Sequence, residues 1–377
     1  MACAQTESRD AVQRLSEALE AQNTQQVTAI ENELLSAATG LNKLLEAGSL
    51  LAEKGRLEES ARLFERSRER FPASFEARYN LALARFALNQ LVPAQNALEG
   101  AQPSSEREKS AILYLQGKIQ MAAGDMANAK NNLEEAYRRA PQEENYALDL
   151  ALLYIRSSAY VPAADLLEAA IVQQHLTSNE IRLELALADA LAGRAAKAIA
   201  ASNTLAGDTN TRSIAALITT FAYCHENDFA ACRADAAQAL AAPQPHPYLH
   251  YLRASALWNL SPQETQPILD DLNIAVEKLP ACGVCLQLRS RVYESTGKEM
   301  AAIVDLQRSV TIDPQSAAAW YRLFQLYKKT GKKPQEAEAL RHYQAIHKQQ
   351  TDDEADSFRS QFTGSAAGSR SAKAAPL

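Results

Sequence analysis

Apolar and small residues recur at intervals of three and four along most of this chain, and each run is stopped by glycine, proline or a short polar stretch. Residues 110–141 show the pattern most plainly. Ile112, Leu115, Ile119 and Ala122 form one stripe, Gly124-Asp125 interrupts it, and Ala129, Leu133, Ala136 and Tyr137 form a second that ends at Pro141. Such spacing predicts two amphipathic helices, each with one face to bury. Gly124 supplies the left-handed backbone of a tight helix–helix turn, and Pro141 cannot continue a helix. The unit is a helical hairpin too small to bury its own apolar face.

The same register returns along the chain. Equivalent starts fall at Leu41, Phe75, Ser110, Glu144, Asn179, Ser213, Pro247, Gly283 and Ala317, at spacings of 34, 35, 34, 35, 34, 34, 36 and 34 residues. A period this regular predicts stacked repeats rather than separate globular domains. Ahead of them, Val12, Leu15 and Leu19, then Val27, Ile30, Leu34 and Leu35, predict two helices, with Thr24 as the N-cap of the second. This atypical pair would cap the array, covering one apolar face and solvating the other. The expected division is a helical cap over 1–40, repeats over 41–349, and a disordered tail over 350–377, where acidic and Gly/Ser/Ala-rich sequence loses the apolar period.

Between Leu41 and Gln349 the chain resembles the tetratricopeptide-repeat family. Its small residue at repeat position 8 is matched by Gly48, Ala82, Gly117, Ala151, Ala186, Ala254 and Ser290. Position 20 is small as Ser60, Ala94, Ala129, Ala163, Ala198, Cys232 and Ala302, and position 24 is apolar as Phe64, Leu98, Leu133, Leu167 and Leu306. Proline at position 32 is present as Pro72, Pro141, Pro280 and Pro314. The sixth repeat departs, with Thr220 at position 8 and Ala236 at 24, and the seventh has extra residues around Ser261–Gln266. The resemblance implies an all-α, right-handed superhelical solenoid of about nine antiparallel hairpins.

Composition narrows the function. A net charge of −6 gives no basic field for nucleic acid, and no apolar stretch is long enough for an integral membrane span. Ala2-Cys3-Ala4 looks like the end of an export signal. The location is therefore cytoplasmic, or periplasmic or secreted if that start is a signal remnant.

Candidate chemistry is sparse. Gly55, Gly124, Gly193, Gly297 and Gly331 share repeat position 15 and read as turn glycines. Gly297-Lys298 and Gly331-Lys332 lack the rest of a phosphate loop. Cys282 and Cys285 form a CxxC at a predicted helix start, which fits idle thiols, a local disulfide, or a redox pair with a lowered thiol pKa. Zinc would need two further ligands that the spacing does not offer. Cys224 and Cys232 read as small core residues. His246 and His250 are four apart, but Pro247 is expected to start a helix and leave His246 outside it. No catalytic set is recognisable, and no cofactor or metal is expected; the reading is not an enzyme.

The resemblance also implies that positions 2, 5, 9, 12 and 13 of each first helix line an inner groove. Those positions hold Tyr79, Phe86, Tyr114 and Met121 in the second and third repeats, and Phe221, Tyr248, Tyr251 and Trp258 in the sixth and seventh. Arg291, Tyr321 and Arg322 follow, with Lys328 and Lys329 nearby. Aromatics and Met are adaptable anchors, and Arg pairs with a carboxylate. The carboxylate clamp of chaperone-binding relatives does not fit, since Leu45, Ser49, Ala111 and Leu115 replace its residues around Asn80. The expected function is a scaffold that binds a protein or peptide along this groove. The alternatives are an exported cell-envelope assembly factor of the same fold, or a thiol-redox protein using Cys282 and Cys285.

Overall fold

A computed structural model describes residues 11–36, 39–205, 207 and 211–348. The described chain is helical throughout, without a strand among the described residues. It forms two compact units, residues 1–188 and 189–377. Expectations for the N-terminal decapeptide and for the tail beyond 348 lie outside the described residues.

In the first unit the helices are α1 (Ala11–Glu20), α2 (Thr24–Ser36), α3 (Leu41–Glu53), α4 (Leu57–Arg70), α5 (Phe75–Ala87), α6 (Leu91–Leu98), α7 (Glu106–Ala123), α8 (Met126–Arg139), α9 (Glu144–Arg156) and α10 (Tyr160–Gln174). α11 (Asn179–Leu191) runs across the boundary. The second unit continues with α12 (Ala195–Asn203), α13 (Arg212–His225), α14 (Phe229–Leu240), α15 (Tyr248–Leu260), α16 (Thr265–Lys278), α17 (Gly283–Ser295), α18 (Glu299–Ile312) and α19 (Ala317–Lys329). A last helix, α20, covers 333–348. Within each unit helices pack on the next in sequence and first helices pack on first helices, as in α3 on α5 and α13 on α15.

Close approach of the two helices in each hairpin explains the small residues. Ala82, Ala151, Ala186, Ala254 and Ser290 at position 8 are sealed from solvent, and so are Ser60, Ala94, Ala129, Ala163, Ala198, Cys232 and Ala302 at position 20. The glycines are tighter still. A Cβ on Gly48 would sit 2.5 Å from the Phe64 ring, and one on Gly117 would sit 2.7 Å from Leu133. Position 8 thus receives the large side chain of position 24, so a bulky residue at both would force the helices apart.

Local signals set the boundaries. α7 starts four residues earlier than the repeat predicts, because Ser105 accepts from the Glu108 amide and the Glu108 carboxylate accepts from the Ser104 amide. That reciprocal arrangement satisfies amides a helix start leaves open. α2 is capped by Asn23, whose Oδ1 accepts from the Gln26 amide at 3.1 Å, and not by Thr24. The turn at position 15 needs a positive φ, which Gly55, Gly124 and Gly297 adopt; Asn89, Ser158 and Asn227 adopt it too, without the help of a missing side chain.

The N-terminal pair is fastened to α4 by three arginines one turn apart. Arg62 makes a two-pronged pair with the buried Glu31, at 2.7 and 3.0 Å. Arg66 Nε donates to the Leu35 carbonyl and Arg70 Nη1 to the Thr39 carbonyl. Its apolar stripe, Val12, Leu15, Val27, Ile30 and Leu34, is buried with Leu44, Leu51 and Leu63 in one core.

In the second unit, the second helices carry an acid at a recurring place. Asp271 pairs with Arg253 at 2.6 and 2.7 Å, and Asp305 pairs with Arg289 at 2.7 Å on both oxygens. Both acids are buried, and each pair ties the two helices of one hairpin. His250 completes the first pair, with Nδ1 2.7 Å from Asp271. Asp235 stands at the equivalent place in the preceding hairpin but faces Thr220 instead of an arginine. Burial holds its carboxyl above the ordinary range, an effect the Thr220 hydroxyl only partly opposes.

Two disulfides are present among the described residues, Cys224–Cys232 and Cys282–Cys285. The expectation that Cys224 and Cys232 are simply small core residues is corrected: both pack in the core beside Leu252, but they are bonded to each other across the α13–α14 turn. Of the readings of the CxxC, the structure has the local disulfide.

Candidate functional site

Two aromatic constellations arise from the first helices of the hairpins, one in each unit. In the first unit, Tyr79 on α5, Tyr114 on α7 and Tyr146 on α9 stand at neighbouring turns and line a cavity of about 610 Å³ together with Phe75, Arg107 and Glu108. Phe75 stacks on Tyr79 with ring centres 5.5 Å apart, and Tyr114 stacks on Tyr146 at 4.2 Å. The rings are held from behind. The Tyr114 hydroxyl donates to Asp149 on α9, and Lys118 places its ammonium 2.8 Å from the same carboxylate oxygen. Burial, reinforced by that carboxylate, pushes the Tyr114 phenol well above its ordinary pKa. Burial alone accounts for most of the rise of Tyr79, pushed up to about 12. These are neutral phenols at any physiological pH.

Phe86 and Met121 sit differently. Phe86 is half-buried against the core formed with Leu81, Ala84 and Leu98. Met121, expected to face the groove, is instead buried with Leu133, Leu150 and Leu153, because its place on α7 turns it towards α8 and α9. Tyr146 was not among the expected residues, although an aromatic on the first helix of the next repeat after Tyr114 was a usable signal.

In the second unit the aromatic set is accompanied by cations. Tyr248 and Tyr251 on α15 have ring centres 4.9 Å apart. Two turns further along α15, Trp258 lies under the guanidinium of Arg291 on α17, 5.3 Å from its ring centre. Arg322 on α19 follows, with Nη1 3.2 Å from Glu294. Although solvent reaches Arg291, the protein crowded around it and the like charge of Arg322 pull its pKa below the ordinary value. Among the described residues Arg291 makes no hydrogen bond or ion pair, while Arg253, Arg289 and Arg322 each have an acid. Tyr321 is exposed and leans on Tyr343 at 5.0 Å. Phe221 packs half-buried against the core of Cys232 and Leu252. The structure therefore brings Tyr248, Tyr251, Trp258, Arg291 and Arg322 together; Phe221 shares the core of Cys232, Leu252 and Ala256 with Tyr248 and Tyr251.

No group of three metal-ligating side chains occurs among the described residues. His246 lies just before α15, with Nδ1 accepting from the Tyr248 amide at 3.2 Å, and His250 faces Asp271. The two histidines are thus engaged separately. No described helix is long and apolar enough to cross a membrane.

These features define an all-α helical-hairpin repeat protein. Its third hairpin is a tetratricopeptide repeat: the profile of that family matches residues 110–143. No curated protein matches the chain. Among solved structures, a tetratricopeptide repeat protein from Parabacteroides merdae aligns at 16% identity over 76% of this chain and 98% of its own, with a TM-score of 0.46. The C-terminal part of a repeat protein from Cytophaga hutchinsonii aligns at 15% identity, over 73% of this chain and 97% of its own, with a TM-score of 0.43. PilF of Pseudomonas aeruginosa aligns at 16% identity, over 52% of this chain and 89% of its own, with a TM-score of 0.41.

Proposed function

We propose that this chain is a non-catalytic scaffold that binds a protein or peptide along the faces of its first helices. The observation that carries the reading is Arg291. It is a solvent-reached guanidinium over a Trp ring, beside a second arginine, and it is left without an acid where Arg253, Arg289 and Arg322 each have one. A carboxylate on a ligand is the group that would complete it, in the two-pronged geometry guanidinium favours. The ligand's apolar side chains would lie against Tyr251, Trp258 and Tyr321. In the first unit, Tyr79, Tyr114 and Tyr146 would take a further apolar or aromatic side chain. Rings already held in place lose little freedom on binding, which favours affinity.

The test is a peptide array probed with the full chain, comparing acidic aromatic peptides with amide counterparts of equal length. Binding should favour the acidic series, and Arg291→Ala should remove that preference while leaving the melting temperature unchanged. Equal binding of both series would overturn the reading. Tyr251→Ala with Trp258→Ala is a coarser test, since both rings also pack on the core.

The two disulfides favour a second reading of the setting, in which the same scaffold is exported to an oxidising compartment. Cell fractionation checks it. Native protein found only in the cytosol, with free thiols at all four positions, would sink it.

A further inference from the structure

Next to the aromatic face of the second unit, in a cavity that Tyr248 also lines, the start of α17 carries chemistry that carboxylate binding at Arg291 does not use. Cys282 is the N-cap of α17, and its Sγ accepts from the Cys285 amide at 3.3 Å while bonded to Cys285 Sγ. Cys285 is sealed from solvent and packed against Ala275, Val276 and Leu286. Cys282 is only half-buried and lines an open cavity of about 630 Å³, with exposed Val284 and Ile312 on its apolar walls and Lys278, His246 and Asp313 among its polar ones. The other disulfide is placed differently. Both sulfurs of Cys224–Cys232 lie 3.7–3.8 Å from the Leu252 carbonyl, under α15, and Cys232 is sealed.

We propose that Cys282–Cys285 is a thiol-exchange site at which the dithiol of a partner protein is oxidised, entered through Cys282. A partner thiolate attacks Cys282 Sγ in the open cavity. The Sγ–Sγ bond breaks, its electron pair goes to Cys285 Sγ, and Cys285 takes up the proton that the attacking thiol released. The mixed disulfide is then attacked by the partner's second thiol at the partner's own sulfur, and Cys282 leaves as a thiolate. The partner's dithiol becomes a disulfide, and this chain's disulfide becomes two thiols. The leaving thiolate is where the fold can hold it, on the Cys285 amide at a helix N-terminus. Stabilising the reduced form makes the bond a better oxidant. The attack has one direction, because only Cys282 presents its sulfur to the cavity.

Three measurements on the oxidised full-length chain test this. With limiting dithiothreitol followed by alkylation and mass spectrometry, Cys282 and Cys285 should be labelled at least about tenfold faster than Cys224 and Cys232, following access to the sulfur. Equal rates, or reduction of both pairs only in denaturant, would overturn the proposal. Reduced thioredoxin, used as the dithiol protein probe, should be oxidised in equal amount to the Cys282–Cys285 bond lost; no oxidised thioredoxin would overturn it. Cys285→Ser should trap a mixed disulfide with glutathione at Cys282, whereas Cys282→Ser should trap none at Cys285. The reverse pattern would overturn the direction of attack. The wild-type measurements stand if either variant fails to fold.

Discussion

The tyrosine-lined cavity of the first unit and the arginine-bearing face of the second are built from the same register of the same repeat, yet they solve their polar problem in opposite ways. In the first, the charge behind the ring is supplied from within: Tyr114, Asp149 and Lys118 form a closed set across α7 and α9. In the second, Arg253 and Arg289 are closed in the same sense by Asp271 and Asp305, while Arg291, two residues beyond Arg289, has no such acid. Two residues along α17, about half a helical turn, thus separate an arginine that an acid closes from one that none does. An arginine that reaches the second helix of its own hairpin becomes a fastener. One that points past it, as Arg291 does, is left over a tryptophan ring without an acid.

The comparison breaks first where a fastener is cut. Asp305→Ala leaves Arg289 buried without its partner, and losing one member of a buried pair costs about 3–5 kcal/mol. Chemical unfolding should register it in the second unit; a loss below about 1 kcal/mol would mean that Arg289 is closed by Asn273 and solvent instead. Next is Tyr114→Phe, which removes one charge-assisted hydrogen bond while Lys118 still covers Asp149. About 1.5–3 kcal/mol is expected from unfolding curves, and the same stability as wild type would show that Asp149 does not hold the ring.

The acid that meets a threonine instead of an arginine sharpens the contrast through pH. Asp235 has its pKa raised by burial, so the folded chain holds that proton to higher pH than the unfolded chain does. Its contribution to stability is present below the unfolded pKa and is lost as pH rises through the folded one. Asp235→Asn should remove that loss, melting above wild type at pH 7 and no higher than wild type at pH 3. Parallel melting curves across that range would count against it. The smallest expected effect on stability is that of Arg291→Gln, within about 0.5 kcal/mol, since the side chain is exposed and unpaired. A larger drop on thermal melting would place Arg291 among the fasteners.

Much of the fold was legible because hairpin stacking demands small residues at fixed places. Leu41, Phe75, Glu144, Asn179, Gly283 and Ala317 begin helices where the period puts them. Capping chemistry moved other starts: Ser105 and Glu108 drew α7 forward, and Asn23 displaced Thr24. Reading turns from glycine alone missed Asn89, Ser158 and Asn227, which reach the left-handed region despite a side chain. The candidate faces were legible as residues sharing a helical face but not as an arrangement. A helical period says which face a tyrosine shares; it does not say whether a ring is closed from behind, as Tyr114 is, or whether a methionine such as Met121 turns into the next hairpin. Nor did it pair Cys224 with Cys232, whose spacing of eight spans a turn.

That bond has a mechanical consequence. A chain drawn out by its ends would release its hairpins as free contour, but the eight-residue span between Cys224 and Cys232 is bridged and cannot extend. One step in a force–extension trace would therefore fall short of its neighbours by about 2 nm, at roughly 3.5 Å per residue withheld. Adding a reductant would give that length back.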